Sequence, residues 1–297
     1  IAQSRTPRQA QIYVMDFASM ILRNLEGLAH VGGVVIASED ERLKNLFKLL
    51  AGELASRKRV LLDAGVSSFA AYLEAGHTDL PHLYLILDNF SVFRELYADR
   101  YEDALVSLCR DGIACGISVI VANSVTSGFG FKYLTNFSTF IALTCNDSNE
   151  YSVVFDRCRL RPKNVPGRAL CSFDKQVFEF QSYLGFEGER EVDRVASMRA
   201  FVQRVNDANP GQRARRIPTV PDDLTLDFIY ENYDVPATAV PLGLSYATVE
   251  PVTADLSSQF SLSIVSKDEA AVLPVLSALM ADLRRNAFDR PVELHVV

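Results

Sequence analysis

The sequence predicts an α/β fold with a mostly parallel central sheet flanked by helices. Two apolar runs end directly on a carboxylate, QIYVMD at residues 11–16 and HLYLILD at residues 82–88. Continuous apolar runs are typical of strands buried on both faces, as in parallel sheets. Segments of this kind alternate along the chain with segments whose apolar residues recur at helical spacing, which is the pattern of a doubly wound α/β core.

The elements follow in a regular order. The segment 38–62 places leucine and phenylalanine at helical spacing behind Ser38, a residue type that favours helix N-caps. The β-branched run 116–123 indicates a strand. By the same criteria we predict strands at 11–19, 31–36, 82–88, 116–123, 138–145, 176–184, 260–266 and 291–297, and helices at 38–62, 101–112, 190–207 and 268–286.

Composition excludes several functional classes. The chain has 297 residues, of which 48% are hydrophobic, and a formal net charge of -7. An acidic balance argues against a general electrostatic grip on nucleic acid. The five cysteines form no CxxC pair, and the four histidines show no ligand spacing with them, so neither a disulfide framework nor a zinc site is expected. No apolar run reaches the length of a membrane span.

The first site candidate is the end of the run at residues 82–88. Ligands of parallel sheets gather at the carboxyl ends of the strands, where Asp88 and Asn89 stand. A carboxylate at this place can hold Mg²⁺ through water. The alternative is a core strand that is closed by an Asp-Asn turn with no ligand.

Several short stretches carry a resemblance when they are taken in order. They are IYVMDF, HVGGVV followed by SEDER, LPHLYLILDNF, LCRDGIACGISVIVAN, NVPGRAL followed by FEFQ, and IPTVPDDL leading to VPLGL. In this order they resemble the FtsK/SpoIIIE-type ATPase units of the type VII secretion ATPases, the EssC/EccC family. The resemblance spans nearly the whole chain. It implies a RecA-like P-loop NTPase fold that lacks its own N-terminal P-loop strand, because IYVMDF matches the second core strand.

The resemblance also implies a domain organisation. Residues 1–208 would form an ATPase unit without its Walker A segment. A Pro-rich stretch at 209–257 reads as an ordered linker between units, and residues 258–297 would begin the next unit. The missing strand would leave a gap between the strands at 116–123 and 138–145. We expect the segment 260–266 to fill it, either from the same chain or by exchange in a strand-swapped oligomer.

Site residues follow from the resemblance position by position. Asp88 matches the Mg²⁺-site carboxylate, Asn89 stands where a water-activating Glu is common, and Asn123 with Ser124 matches a γ-phosphate sensor. Where the family has the phosphate loop GxxxxGK[ST], the later segment has Ser266 and Lys267 without the glycines, and Lys267 comes too early. Asp268 and Glu269 would set negative charge against a polyphosphate. Arg168 is implied to face a neighbouring unit, with an ordinary surface arginine as the alternative.

The function implied is that of a degenerate ATPase unit in a membrane-associated secretion motor. ATP and Mg²⁺ would serve the parent protein, whereas this fragment is expected to bind nucleotide weakly or not at all and to be inactive. Implied partners are adjacent ATPase units, helical-hairpin WXG-type substrates and other membrane components of the secretion system, at the cytoplasmic face of the cell membrane. The alternatives are a DNA translocase of the same superfamily and a purely structural spacer.

A substrate-docking surface should be an apolar groove that accepts an amphipathic helix. The aromatic side chains of Phe129, Phe131 and Tyr133, in the loop TSGFGFKYL, are one candidate for it. The alternative is that these aromatic side chains pack into the core.

Overall fold

The computed structural model describes most of the chain. The described residues are 1–126, 128–145, 147, 149–156, 158–173, 176–221, 223–246, 248–255, 263–268, 270 and 272–285. The chain divides into two compact units, residues 1–217 and residues 218–297.

The first unit holds a parallel sheet followed by a smaller antiparallel one. Its strands are β1 (Ala10–Asp16), β2 (Val31–Ile36), β3 (His82–Asp88), β4 (Ile117–Ala122), β5 (Ile141–Leu143), β6 (Arg168–Phe173) and β7 (Gln176–Gln181). Its helices are α1 (Asp40–Asp63), α2 (Phe69–Glu74), α3 (Phe90–Asp111), α4 (Phe131–Leu134), α5 (Glu150–Val154) and α6 (Glu191–Asp207), with short 3-10 turns at Ile21–Leu25 and Ile113–Cys115.

The parallel sheet has the strand order β2-β1-β3-β4, and the antiparallel sheet has the order β5-β6-β7. Helices α1 and α3 cover one face of the parallel sheet, where a buried cluster includes Met15, Leu50 and Phe93. Helix α6 covers the other face, where Val205 packs with Val14 and Val34. The predicted α/β fold with a mostly parallel central sheet and flanking helices is therefore confirmed.

Two predicted helix starts and the burial of one strand differ from the structure. Helix α1 begins at Asp40 after Glu39, not at Ser38, and Glu39 makes no side-chain capping bond. Helix α3 begins at Phe90 rather than at residue 101, because Phe90, Phe93 and Tyr97 form a buried stripe at helical spacing. In β3, the alternate residues Leu83, Leu85 and Leu87 are buried while the residues between them are half-buried, so one face of this strand is less covered than predicted.

The segment after α6 runs back along the outer strand β2. The Ala214 and Ile217 N–H groups donate to the Ala29 and Gly32 carbonyls at 2.7 and 3.0 Å, and the Tyr13 hydroxyl donates to the Arg215 carbonyl at 2.8 Å. A Cβ atom on Gly32 would lie 2.4 Å from that same carbonyl oxygen, so the close approach requires glycine. The compact unit consequently ends at residue 217. The boundary of an ATPase unit at residue 208 stays a prediction.

The second unit contains α7 (Leu226–Asn232), β8 (Ala239–Leu244), β9 (Pro251–Asp255) and α8 (Val272–Arg285). Strands β8 and β9 form an antiparallel hairpin. Ile229, Leu244 and Val249 form its small buried cluster. Part of the segment predicted as an ordered linker is thus regular structure, namely α7, β8 and β9. The division into ATPase units and a linker stays a prediction.

The predicted strand at 260–266 lies partly outside the described residues. Its described part, residues 263–266, is exposed and belongs to no strand. The pairing of this segment with the first sheet in the same chain stays a prediction. Apolar residues that alternate with serine favour a strand, but a strand forms only where a pairing partner is present. Within the described part of the chain β4 pairs only with β3. Exchange with a second copy stays a prediction, and the predicted strand at 291–297 lies outside the described residues.

None of the helices that the structure describes is both long and apolar enough to span a bilayer.

A buried arginine joins the amino ends of the central strands to α1. Arg57 is 1% exposed, and its guanidinium donates to the carbonyls of Pro81, Cys115 and Gly116 at 2.8, 3.1 and 3.3 Å. It also pairs with Glu53, one turn earlier on α1, at 3.1 Å. Pro81 and Gly116 directly precede β3 and β4, so this one side chain fixes where both strands begin.

Replacing Arg57 by Ala should lower the free energy of unfolding by about 3–5 kcal/mol, because the Pro81, Cys115 and Gly116 carbonyls all lose the donor that Arg57 provides. Arg57→Lys should be intermediate, since one ammonium cannot reach carbonyls that precede two different strands. The matched control is the exposed Arg59 of the same helix, whose Ala variant should change stability by less than about 0.5 kcal/mol. Urea denaturation measures all three variants, and equal effects of Arg57→Ala and Arg59→Ala would contradict this role.

Candidate functional site at the carboxyl edge of the parallel sheet

Asp88 ends β3 at the centre of the carboxyl edge of the sheet. Its Cα pairs with Asp16 on β1 and with Ala122 on β4. The side chain is half-buried, and burial raises the pKa of Asp88, to which the nearby Asp16 carboxylate adds. The structure thus places Asp88 at the strand end where the sequence predicted it, beside a second carboxylate.

Asp16 organises the loop that leaves β1. It is 1% exposed, and its carboxylate accepts the backbone N–H groups of Ala18, Met20 and Leu22 at 3.3, 3.1 and 3.0 Å. Met20 is held at φ 58°, in the left-handed region that is uncommon for such a side chain. The sequence showed Asp16 as a strand-terminal carboxylate, but we did not predict Asp16 as a site residue. The repetition of a carboxylate at two strand ends was the signal that could have done so.

Asn89 ties the end of β3 to the end of β1. Its backbone is in the left-handed region at φ 63° and ψ 71°, a conformation that asparagine tolerates better than most residues. Its Nδ2 donates to the Phe17 carbonyl at 3.2 Å, while the Phe17 N–H donates to the Asp88 carbonyl at 3.2 Å. The Asn89 amide is therefore directed at the neighbouring strand.

Asn123 follows β4 and closes the amino end of α3. Its Oδ1 accepts the Ser91 N–H at 3.1 Å, and its Nδ2 donates to the Ser91 hydroxyl at 2.9 Å and the Val125 carbonyl at 2.8 Å. Asn89, the residue at the N-cap position, makes no side-chain capping bond, so Asn123 caps the helix from another strand. Ser124 is exposed at the start of the following loop.

The other predicted residues belong to other elements of the chain. Arg168 is in β6, where its guanidinium donates to Gln181 at 3.0 Å and Glu179 at 3.2 Å on the adjacent β7. Ser266 and Lys267 belong to the second unit. The structure therefore brings together Asp88, Asn89 and Asn123 at one edge, and gives Arg168 partners within its own sheet.

The aromatic loop after β4 packs inward. The Phe129 ring stacks on Phe90 with ring centroids 4.7 Å apart. Tyr133 is 1% exposed and meets the same Phe90 ring edge-on at 4.9 Å. For these two residues the core alternative holds, and the side chain of Phe131 lies outside the described atoms.

The edge fits a hydrated cation better than a polyphosphate. A half-buried carboxylate is a suitable partner for Mg²⁺ bound through water. The Asp16 oxygens and the Asn89 and Asn123 amides, however, are already engaged by the chain itself. Across the described ranges no group of three or more His, Cys, Asp or Glu side chains is arranged to hold a metal ion. Among the described residues, this edge therefore supplies one carboxylate, that of Asp88, for a cation site. Within the same residues it supplies no loop of backbone N–H groups that could hold a phosphate.

Asp88→Asn should stabilise the chain at neutral pH. Folding raises the pKa of the Asp88 carboxyl, so its ionisation is less favourable in the folded chain than in the unfolded chain. The folded chain therefore loses stability as the pH rises from the unfolded pKa through the folded pKa. The amide of Asp88→Asn does not ionise and avoids this loss. Urea denaturation in a chelating buffer should show a higher midpoint for Asp88→Asn than for the unchanged chain at pH 7. The two should coincide near pH 3, below the ordinary Asp pKa of about 3.9.

The exposed Asp99 on α3 supplies the control for this titration, and its Asn variant should behave as the unchanged chain at both pH values. A variant Asp88→Asn that is less stable than the unchanged chain at pH 7 would contradict the assignment.

Comparison with known proteins identifies relatives over most of the chain. The FtsK/SpoIIIE family profile matches residues 1–150. The chain is 26% identical over 282 residues to the type VII secretion system protein EssC of Staphylococcus aureus (strain MRSA252). This alignment covers 91% of this chain and 18% of that protein. The chain is 25% identical over 285 residues to the ESX secretion system protein EccC of Geobacillus thermodenitrificans (strain NG80-2), covering 95% and 19%. The chain therefore spans about a fifth of the length of these relatives.

Solved structures show the same fold. ATPases 2 and 3 of EssC from Geobacillus thermodenitrificans superpose with a TM-score of 0.84 at 24% identity, covering 96% of this chain and 55% of that one. The cytoplasmic domain of EssC gives 0.74 at 25% identity, covering 95% and 56%. Thermomonospora curvata EccC (ATPases 2 and 3), solved with a signal sequence peptide, gives 0.68 at 23%, covering 86% and 47%. The expected P-loop ATPase fold and the resemblance to EssC/EccC proteins are thereby confirmed, and the chain belongs to the FtsK/SpoIIIE family.

Proposed function

We propose that this chain is a degenerate ATPase unit of a type VII secretion motor, which binds nucleotide weakly or not at all. The similarity to EssC and EccC over most of the chain supports the motor. The hydrogen bonds of two asparagines support the degeneracy. Asn89 is bonded to Phe17, and Asn123 is bonded to Ser91 and Val125. Both Nδ2 hydrogens of Asn123 are used within the chain, so this amide cannot donate to a phosphate unless one of those bonds breaks. The bond from Asn89 to Phe17 directs the Asn89 amide at the end of β1.

Asp88 is the residue that would hold Mg²⁺ through water in this unit, and ATP with Mg²⁺ would be the cofactor of the whole protein. Mg²⁺ keeps most of its own waters and needs few protein carboxylates. In phosphoryl transfer a separate residue must position the attacking water. Asn89 stands at the position following Asp88 and has no carboxylate with which to do so, which favours binding without turnover.

The later phosphate-loop candidate supports the same proposal. The Ser266 hydroxyl accepts the Asp268 N–H at 3.1 Å, and the Asp268 carboxylate accepts the Ala270 N–H at 3.0 Å. Backbone N–H groups are what a phosphate loop offers to its ligand. Here side chains of the loop itself use two of them, and one of those side chains is a carboxylate that would repel a phosphate. We therefore propose that Ser266 and Lys267 bind no polyphosphate.

The unit would act through its partners. We propose that it contacts adjacent ATPase units of the same protein and takes part in regulation between units or in substrate docking, at the cytoplasmic face of the membrane. One structural relative was solved with a signal sequence peptide, which supports a substrate signal segment as a partner. We propose that helical-hairpin WXG-type proteins are the substrates that carry it. Other membrane components of the secretion system would hold the motor in place. Arg168 reaches a neighbouring unit in this proposal only if it exchanges its bonds to Glu179 and Gln181.

A purely structural spacer is the second candidate, and the internal bonds of Asn89 and Asn123 favour it equally. The spacer binds no nucleotide at all, so any measurable binding would favour the first candidate. The net charge of -7 gives no support to the DNA translocase.

Nucleotide titration of the purified chain tests the proposal. With 1 mM ATP-Mg²⁺ we expect no turnover above the blank. The rise in melting temperature should stay below roughly 2 °C, since a ligand at its Kd adds only about 0.4 kcal/mol. Asp88→Ala should abolish whatever rise is seen, and no rise at all would favour the spacer. Turnover near 1 s⁻¹ or faster, within the ordinary range of enzymes, would contradict the proposal.

Substitutions at Asn89 test two roles for this residue. In the first, which we call a structural clamp, its side chain only holds the end of β3 to Phe17. In the second, it stands in place of a catalytic residue that has been lost. Asn89→Gly keeps the left-handed backbone at no steric cost and loses one hydrogen bond, about 1 kcal/mol. Asn89→Ala and Asn89→Glu should cost about 2 kcal/mol, because both also strain the backbone. Asn89→Glu should not gain ATP turnover. Chemical denaturation and a phosphate-release assay report the two properties, and a turnover gain in Asn89→Glu would count against the clamp.

A further inference from the structure

We propose that the carboxyl edge of the parallel sheet keeps its shape without a nucleotide, because a network of its own hydrogen bonds does the ordering that a bound phosphate would otherwise do. We name this the strand-tip network; its members are Asp16, Phe17, Asp88, Asn89, Ser91 and Asn123. The inference deepens the proposed function and rests on it. It adds that ATP-Mg²⁺ is not the signal that sets the conformation of this edge.

The first step of the network joins β1 to β3. Asp16 holds the loop after β1 by three N–H groups, and the Phe17 backbone exchanges two bonds with the end of β3, one to the Asp88 carbonyl and one from the Asn89 amide. Two loops that would otherwise leave the sheet independently are thereby fixed to each other.

The second step joins β3 and α3 to β4. Ser91 lies in the first turn of α3, and both its N–H and its hydroxyl are bonded to the Asn123 amide. The Nδ2 group of Asn123 uses its second hydrogen on the Val125 carbonyl. A primary amide has two donors, so the donors of Asn123 are fully used.

The third step fixes the loop that follows β4. The Thr126 N–H donates to the Glu150 carboxylate at 2.9 Å, and Arg94 of α3 donates to the Gly128 carbonyl at 2.9 Å. A Cβ atom on Gly128 would lie 3.3 Å from the Asn123 Nδ2, so the loop closely covers the amide. Moving Asn123 toward a ligand would require this cover to move as well.

The chemistry that would break the network is that of a polyphosphate. Its oxygens accept hydrogen bonds, so they would compete for the Asn123 Nδ2 hydrogens and for the Ser91 N–H. The nearby Asp16 and Asp88 carboxyls oppose such an anion when they are ionised. The network and the local charge therefore favour the same, self-bonded arrangement.

Hydrogen-deuterium exchange of the full chain, with and without 1 mM ATP-Mg²⁺, tests the inference. In the unchanged chain, peptides that cover residues 16–22, 88–92 and 123–126 should exchange slowly and at the same rate in both conditions. In Asn123→Ala the peptides 88–92 and 123–126 should exchange at least fivefold faster, while the middle of α1 is unchanged. Ser91→Ala keeps the N–H and should give an effect of roughly twofold, which preserves the test if Asn123→Ala folds poorly.

Asn136→Ala is the matched control. The Asn136 amide donates to the Lys132 carbonyl at 2.7 Å at an exposed position, so its loss should leave the strand-tip peptides unchanged. Slower exchange of these peptides in the unchanged chain on addition of ATP-Mg²⁺ would overturn the inference, as would equal behaviour of Asn123→Ala, Ser91→Ala and Asn136→Ala. ATP turnover with unchanged exchange would instead contradict only the proposed function.

Discussion

Every strand of a parallel sheet ends at the same edge, and the backbone N–H groups of the loops that leave that edge must find acceptors. In this chain the acceptors come from the strand ends themselves. Asp16 takes three N–H groups of the loop after β1, and Asn123 takes the N–H of Ser91 at the start of α3. The left-handed backbones of Met20 and Asn89 follow, because both loops must turn sharply to present their groups. These N–H groups determine where the Asp16 and Asn123 side chains point.

The same constraint shapes the chemistry of Asp88. Asp16 must be buried to reach its three donors, and a buried carboxylate on the adjacent strand raises the pKa of Asp88 further than burial alone would. At the opposite edge, Arg57 holds the segments that lead into β3 and β4. The central strand is thereby fixed at both ends by side chains of the chain itself. Side chains at both ends of the central strand thus hold it in one position.

Local patterns in the sequence predicted the type and order of the main elements and the position of Asp88. The order of strands and helices followed from the alternation of apolar periods, and Asp88 was placed at the carboxyl edge because a buried run ended on it. Partners distant in sequence were beyond such reasoning. Ser91 and Asn123 are 32 residues apart, and nothing in either neighbourhood indicates that one caps the helix of the other. Arg57 sits in an apparently solvated RKR run, yet tertiary packing buries it. The start of α3 was missed because Phe90, Phe93 and Tyr97 were not recognised as a helical stripe.

A crystal structure grown with ATP-Mg²⁺ would test the central claim most directly, because it shows where the two asparagine amides point when nucleotide is present. The account predicts that Asn123 Oδ1 stays within hydrogen-bonding distance of the Ser91 N–H, that Asn89 stays on the Phe17 carbonyl, and that no ordered phosphate lies at this edge. Density for a triphosphate beside Asp88, with the Asn123 amide turned toward it and away from Ser91, would contradict the account.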